Sequence, residues 1–398
     1  MSSVVDAPPR ALEGDSPLAR CTGDADAFMR TTWGRRAAIL RGADHLGYAD
    51  LLTFDDVDRI LSTTSLRTPS FRLVRSDRTI TESEYTRSGR TGSKPVDGMA
   101  DPARVFELFR QGATIVLQGL HRYWPPVTEL CRGLELELGH PCQVNAYVTP
   151  PGAQGLALHE DPHDVFVLQA FGRKHWEVHA APGEPERQPV EATLEPGDRI
   201  YMPEGTPHAA STQETLSGHL TIGVHVASWR DVLADAWKRL EPDPSLDGRV
   251  PAGWTRDPAG FAGELARRLA QRGRELGALD AEEMTEARIE RFLSTRAPLL
   301  RGTFVEQLAL DGIDDATLVR RRPGSVCELR TKGDRLVVLL GDRRLEMPGW
   351  LEPAMRGIAG RGSFRIGDLR EEIDDAQSRV VLIRRLVREG LLGLEPVR

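Results

Sequence analysis

Between residues 143 and 226 the chain consists of short apolar stretches separated by Pro-Gly and Gly turns. Segments 143–149, 165–170, 174–179, 198–202 and 219–227 read as strands, at the spacing that an antiparallel barrel or sandwich produces. Beyond Trp229 the period changes. Segments 231–240, 261–276 and 281–293 carry apolar residues at helical spacing, with Phe261, Leu265 and Leu269 each four apart. Glu241-Pro-Asp-Pro-Ser245 predicts a helix stop and a hinge. From about Gly302 strands and helices alternate. Residues 336–340 and 343–346 flank Gly341-Asp342, a hairpin signal, and Val380, Ile383, Leu386 and Val387 form one face of a helix ending at Gly390.

Ahead of the β-rich stretch the texture is mixed. Residues 1–23 are small, polar and Pro-containing, and predict a disordered tail. Apolar segments at 36–41 and 71–74 are separated by polar loops, including a long one over 79–98. Asp101 before Val105, Phe106, Leu108 and Phe109 predicts a capped helix, and 113–118 a buried strand. The chain thus divides into a tail (1–23), a mainly β core with some helix (24–230), a helical connector (231–300) and a small α+β end domain (301–398).

Composition narrows the class further. With 398 residues, 40% hydrophobic and 28% charged, the chain is ordinary globular protein, which excludes collagenous, coiled-coil and wholly disordered readings. No apolar run reaches the roughly 18 residues of a membrane helix. The first residues lack the basic stretch and apolar core of a signal peptide, so a cytoplasmic protein with no membrane partner is expected. A net charge of −7 argues against a general polyanion binder. Cys21, Cys131, Cys142 and Cys327 lie far apart with no C-x-x-C pair, and read as reduced, mostly buried thiols.

Two clusters in the β core carry candidate chemistry. The first is Leu158-His-Glu-Asp-Pro-His163; the second runs from Glu195 through Pro203 and Gly205 to His208. His159-Glu160-x-x-His163 matches a zinc-protease pattern that works only on a helix. Pro162 sits inside that would-be helix and the strand-like 165–169 follows at once, so this reading fails. On extended chain, residues two apart point to one side, which makes His159 and Asp161 a pair able to grip one metal. His208, delivered by a turn, a strand and a second turn, is the best-placed third ligand. Two His and one carboxylate on one face form the facial triad of non-haem Fe(II) oxygenases, with positions left open for a bidentate co-substrate and O2. His45, His121, His140 and His225 read as satisfied polar residues. His163, His175 and His179 stay ambiguous, with His163 able to orient a ligand from outside the triad.

The run Asn145-Ala-Tyr147 through Gly155, then His159-x-Asp161, then Asp164 to Gln169, then Gly172-Arg-Lys-His-Trp176, resembles the JmjC-type cupin oxygenases. The nearest branch is the ribosomal oxygenases, 2-oxoglutarate-dependent protein hydroxylases. The likeness is dense from about Thr114 to Val226 and rests on architecture alone after Trp229. Glu160 stands where many relatives carry Tyr, and Leu158 where Pro is common. The resemblance implies a double-stranded β-helix (cupin/JmjC jelly roll), followed by a helical dimerisation region and a winged-helix-like C-terminal domain. It implies Fe(II), 2-oxoglutarate and O2 as cofactor and co-substrates, and a homodimer. It also assigns Lys174 to the distal carboxylate of 2-oxoglutarate, which a buried cation suits. Asn145 and Tyr147 resemble residues lining the same pocket, and His219 and Thr221 lie on a returning strand beside it. Trp176 reads as core.

The expected function is Fe(II)- and 2-oxoglutarate-dependent hydroxylation of a side chain in a protein, such as a ribosomal protein, or in a peptide. The same chemistry on a ribosomally made peptide natural product or a free amino acid stays open. So does a non-catalytic metal-bearing cupin regulator that binds DNA, to which Arg379, Arg384, Arg385 and Arg388 lend some support. Glu371, Glu372, Asp374 and Asp375 precede those cations, so the charge is mixed and direct nucleic-acid binding is not expected.

Overall fold

The computed structural model describes residues 6–7, 16–42, 47–185, 188–212, 214–240 and 244–395. The expectations for residues 1–5 and 8–15, for His45 and for 241–243 of the helix stop lie outside the described residues. The chain divides into two units, 1–226 and 227–398.

Strands of the first unit are β1 (Asp6–Ala7), β2 (Ala38–Leu40), β3 (Phe71–Val74), β4 (Thr86–Thr91), β5 (Lys94–Ala100) and β6 (Thr114–Leu117). They continue with β7 (Cys142–Thr149), β8 (Gln154–His159), β9 (Asp164–Gly172) and β10 (Lys174–Val178). The last four are β11 (Val190–Leu194), β12 (Arg199–Met202), β13 (His208–Ser211) and β14 (Ser217–Val224). Eight form one sheet in the order β1-β2-β12-β9-β14-β7-β6-β3, and four form a second in the order β11-β10-β13-β8. β4 and β5 pair as a separate ribbon. Val165, Val167, Ile200 and Met202 of the large sheet share an apolar core with Trp176, Val178, Ala192 and Leu194 of the small one. This is the jelly-roll architecture that the resemblance implies, within the barrel-or-sandwich class expected from the strand pattern.

Period-two alternation explains why one sheet has both an apolar and a polar face. Val144, Ala146 and Val148 of β7, with Leu220, Ile222 and Val224 of β14, join a core that includes residues of α3 (Phe54–Thr63), α4 (Pro102–Arg110) and α5 (Pro125–Leu138). Their alternates Asn145, Tyr147, Thr149, His219 and Thr221 therefore take the opposite face. β9 lies between β12 and β14 and is buried on both sides, which accounts for its unbroken apolar run 165–168.

Two expectations are corrected. The tail reading fails for residues 17–22, which form a helix, α1 (Pro17–Thr22), with Leu18 and Cys21 buried, and α2 (Ala25–Thr31) follows it. Ser16 caps it, and Glu137 of α5 accepts hydrogen bonds from the Ser16 hydroxyl and the Leu18 N–H, both at 2.9 Å. The long loop over 79–98 is instead a short 3-10 turn, Glu82–Glu84, followed by the β4–β5 ribbon. The capped helix after Asp101 is α4, whose Arg104 N–H donates to the Asp101 carboxylate.

The second unit begins with α6 (Trp229–Leu240), α7 (Pro258–Gly277) and α8 (Ala281–Ser294). The carboxylate of Asp235 in α6 pairs with Arg288 and Arg291 of α8. Trp229, Leu233, Leu265 and Leu269 stay exposed, Trp229 at 81%. Three-stranded sheets follow, β19-β15-β20 and β16-β17-β18, where β15 is Leu318–Arg321, β16 Glu328–Lys332, β17 Arg335–Leu339, β18 Arg344–Pro348, β19 Ser363–Arg365 and β20 Leu392–Leu394. β17 and β18 are the hairpin expected around Gly341-Asp342. The helix expected before Gly390 runs Ala376–Arg388 and buries Leu382, Ile383, Leu386 and Val387, with Val380 half-buried.

Candidate active site

Strand pairing places the first two candidate ligands face to face. β8 ends at His159, β13 begins at His208, and the two are direct partners in the antiparallel register. Their rings lie 4.4 Å apart between centroids. Two residues beyond His159, outside any helix, Asp161 brings Oδ2 to 3.9 Å from His208 Nε2. One potential ligand atom from each of the three residues lies within 4.8 Å of the others.

Both imidazoles are held in a ligand-ready form. His159 Nδ1 lies 2.9 Å from the Ala157 carbonyl and His208 Nδ1 3.0 Å from the Thr206 carbonyl. A carbonyl only accepts, so Nδ1 carries the proton in each ring and Nε2 keeps its lone pair for a metal. Burial holds His208 below the usual histidine range, which favours that neutral form.

A cavity between the two sheets contains these residues at one side and a polar floor at the other. Tyr147, Lys174, His219 and Thr221 line it with His159, Asp161 and His208, together with Thr114, Leu156, Val165, Val167, Trp176 and Ala210. Seven of the eight residues singled out in the sequence thus meet here. Asn145 shares their strand face but is not among the lining residues; its side-chain oxygen accepts the Gly119 N–H at 2.9 Å.

Lys174 is 4% exposed and no described carboxylate pairs with it. Its ammonium donates to the Thr149 hydroxyl at 3.2 Å, and Thr149 in turn lies 3.0 Å from the Thr114 hydroxyl. Burial pushes the Lys174 pKa down to about 7. A sharp β9–β10 turn aims it inward: Gly172 has φ +63°, and a Cβ there would lie 1.7 Å from the Leu216 carbonyl oxygen. The residues therefore fit a dicarboxylic 2-oxo acid. Metal-facing lone pairs stand at one end and an uncompensated buried cation at the other.

Thr149 and Thr114 escaped the sequence reading, although Thr149 continues the same alternation as Asn145 and Tyr147. Trp176, read there as core, also reaches the cavity and meets the His219 ring edge-on at 5.3 Å. His163 forms no hydrogen bond to the triad; its ring nitrogens approach the Gln143 amide at 3.4 Å and the Asp164 carbonyl at 3.3 Å. His175 faces Glu191 at 3.8 Å and His179 faces Glu177 at 2.8 Å, both away from the triad. His121 accepts the Val144 N–H at 3.0 Å, as a satisfied polar residue should.

Comparison with known proteins agrees with this geometry. A family model described as the JmjC domain matches residues 126–232. Ribosomal oxygenase 1 of Rattus norvegicus is 31% identical over 229 residues, which is 52% of this chain and 36% of that protein. The bifunctional lysine-specific demethylase and histidyl-hydroxylase NO66 of Culex quinquefasciatus is 31% identical over 228 residues, 52% of this chain and 34% of that protein. The matches thus span about a third of the length of these relatives. Among solved structures, the ribosomal oxygenase YcfD of Escherichia coli superposes with a TM-score of 0.54 at 19% identity, covering 94% of this chain and 98% of that one. Its complex with cobalt and 2-oxoglutarate gives 0.52 at 19% identity, over 93% and 98% of the two chains. At such identity these structures speak to the fold, which they share over most of both chains. Residues 126–232 therefore match the JmjC domain, about half of the chain is similar in sequence to ribosomal oxygenase 1, and the jelly-roll fold is similar to that of YcfD.

Proposed function

We propose that the protein is an Fe(II)- and 2-oxoglutarate-dependent dioxygenase that hydroxylates a side chain in a protein or peptide. The observation that carries the reading is the direct pairing of His159 with His208, both with Nε2 free and Asp161 beside them. In this reading His159, Asp161 and His208 hold one metal on a single face. Bound iron and 2-oxoglutarate would supply, with O2 as the oxidant, oxidative decarboxylation to succinate and CO2 coupled to hydroxylation, one oxygen atom going to succinate and the other to the substrate. The chain's own work is to hold the triad's geometry, seat the co-substrate and place one C–H bond within reach. Lys174 neutralises the distal carboxylate, with Thr149 and Thr114 fixing its ammonium. Val165, Val167, Leu156 and Trp176 form apolar walls that keep water from the reacting centre.

The substrate class follows the relatives, whose names point to ribosomal proteins and to histidyl hydroxylation. Tandem mass spectrometry of ribosomal proteins from a deletion strain tests it. A residue that loses one oxygen atom in mass without the enzyme supports a ribosomal substrate. An unchanged ribosome redirects the search to a peptide product.

The finer organisation belongs to the same reading: a cytoplasmic homodimer with a helical dimerisation region (231–300) and a winged-helix-like domain (301–398). The exposed apolar residues of α6 and α7 support the dimer. The DNA-binding alternative is disfavoured because Arg379 is buried against Asp315, Arg384 is spent on the Leu310 carbonyl at 2.8 Å, and Arg385 pairs with Glu389.

A further inference from the structure

One cation on the cavity side of the large sheet lacks an anionic partner among the described residues. In β3, Phe71 and Leu73 enter the same core as Val144, Ala146 and Val148 of β7. Arg72 between them therefore takes the opposite face, the one that Tyr147 occupies. The register makes the row explicit: Arg72 pairs with Val116 of β6, and Val116 with Tyr147 of β7. Neighbouring strands stand about 4.8 Å apart, which sets Arg72 roughly 10 Å from Tyr147 along this row. Tyr147 lines the cavity, and Arg72, on the last strand of the sheet, stands outside that lining.

The guanidinium is half-buried. Its Nε is buried with no hydrogen-bond partner among the described residues, and none of their carboxylates forms an ion pair with it. Nearby arginines differ: Arg75 pairs with Asp77, Arg78 with Glu84 and Arg104 with Asp101. A charge drawn out of water without a counter-ion is costly. A planar guanidinium meets a carboxylate best, through two parallel hydrogen bonds. The Tyr147 hydroxyl connects this cation to the reacting end. Burial raises its pKa most, Arg72 lowers it and Asp161 raises it, so one oxygen lies within reach of both the guanidinium and a triad carboxylate.

We propose that Arg72 is a specificity-determining residue that selects substrate chains carrying an Asp or Glu two or three residues from the side chain to be hydroxylated. The inference rests on the reading of this site as a protein or peptide hydroxylase. An extended chain advances about 3.3 Å per residue, so two or three residues cover about 7–10 Å. That step carries a substrate from the triad, past Tyr147, to the guanidinium. An arginine kept only to cover the sheet edge would be indifferent to the charge of the substrate, and that difference is measurable.

The test uses the full chain with Fe(II), 2-oxoglutarate and O2, and three pools of peptides acetylated and amidated at their ends. The central residue is Asp, Asn or Lys, and the flanking positions are mixed from residues other than Asp, Glu, Lys, Met, Cys and Trp. Tandem mass spectrometry reads the amount of hydroxylated product and its place relative to the centre, and succinate is measured alongside. The expected result is roughly tenfold or more product from the Asp pool over the Asn pool, the scale of a charge-assisted hydrogen bond, with the hydroxyl two or three residues from the Asp. Arg72→Gln should bring that ratio close to one, and Arg72→Glu should turn the preference toward the Lys pool. Each ratio is internal to one enzyme, so a partly unfolded variant still reports it. No preference in the wild type, or an Asp preference that survives Arg72→Gln, overturns the role of Arg72. A wild type that forms succinate yet hydroxylates no pool overturns this inference alone. One that forms no succinate overturns the parent reading, and this inference with it.

Discussion

The Tyr201 hydroxyl donates to the Asp164 carboxylate, and this bond joins the two stretches of chain that carry the candidate ligands. Asp164 follows Asp161 by three residues, and Tyr201 lies on the strand that leads into the turn ending at His208. Burial raises the Tyr201 pKa, so the hydroxyl keeps its proton. Further bonds complete the tie. The other Asp164 oxygen accepts the Glu204 N–H at 2.9 Å, and the Asp161 carbonyl accepts the Gly205 N–H at 2.9 Å. The Tyr201 oxygen also accepts the Gly34 N–H at 2.8 Å.

Tyr201→Phe removes that donor and leaves one buried carboxylate oxygen without it, at a cost of about 1–3 kcal/mol. The variant is expected to fold with a lower melting temperature and to bind Co(II) more weakly, measured by titration. A lowered melting temperature with unchanged Co(II) affinity would mean that the bond supports the fold alone.

His208→Ala deletes one of two facing imidazoles. Co(II) and Fe(II) binding should collapse, and 2-oxoglutarate turnover with it, while circular dichroism stays that of the wild type. Retained turnover would place the third ligand elsewhere, with His219 the first residue to examine.

Lys174 predicts two pH effects of definite sign. Its folded pKa of about 7 lies below the ordinary lysine value of 10.5, so between those values the unfolded chain binds more protons than the folded one. Stability of the ligand-free protein therefore rises with pH across that window, and Lys174→Met should flatten the slope. Binding of 2-oxoglutarate favours the charged ammonium, so its affinity should fall as pH rises above about 7, with proton uptake visible by calorimetry in buffers of different ionisation enthalpy. Lys174→Ala should weaken 2-oxoglutarate by roughly 1.5–3 kcal/mol and spare metal binding.

The exposed Leu265 and Leu269 of α7 predict a dimer through the helical region. Light scattering at micromolar concentration should give twice the 44.0 kDa of one chain. Replacing both leucines with Asp should lower that mass. A wild-type mass near a single chain contradicts the dimer.

The convergence of His159, Asp161 and His208 was legible in the sequence because it needs only two short motifs and a period of two. An antiparallel barrel or sandwich was legible from the apolar strands, and the jelly roll only through the family resemblance; β8, β11 and β13 were not legible. His208-Ala-Ala-Ser211 has little intrinsic β preference and becomes a strand through pairing with β8 and β10. The β4–β5 ribbon was hidden for a related reason: β4 is wholly polar, and the apolar residues of β5 (Pro95, Val96, Met99 and Ala100) do not recur at period two, so no alternation marks it. The helix at 17–22 was masked by Pro17, which reads as loop but occupies the first turn, where its missing N–H costs nothing. Thr149 and Thr114 could not be paired from sequence alone, because their contact depends on the alignment of β6 with β7.

The central claim is that this cavity seats a metal and a 2-oxo acid together. Anaerobic titration of the Fe(II)-loaded protein with 2-oxoglutarate tests it most directly. The account predicts a saturable visible charge-transfer band at one equivalent, abolished in Asp161→Ala and shifted to higher ligand concentration in Lys174→Ala. A wild-type protein that binds Fe(II) yet develops no band at saturating 2-oxoglutarate would contradict it.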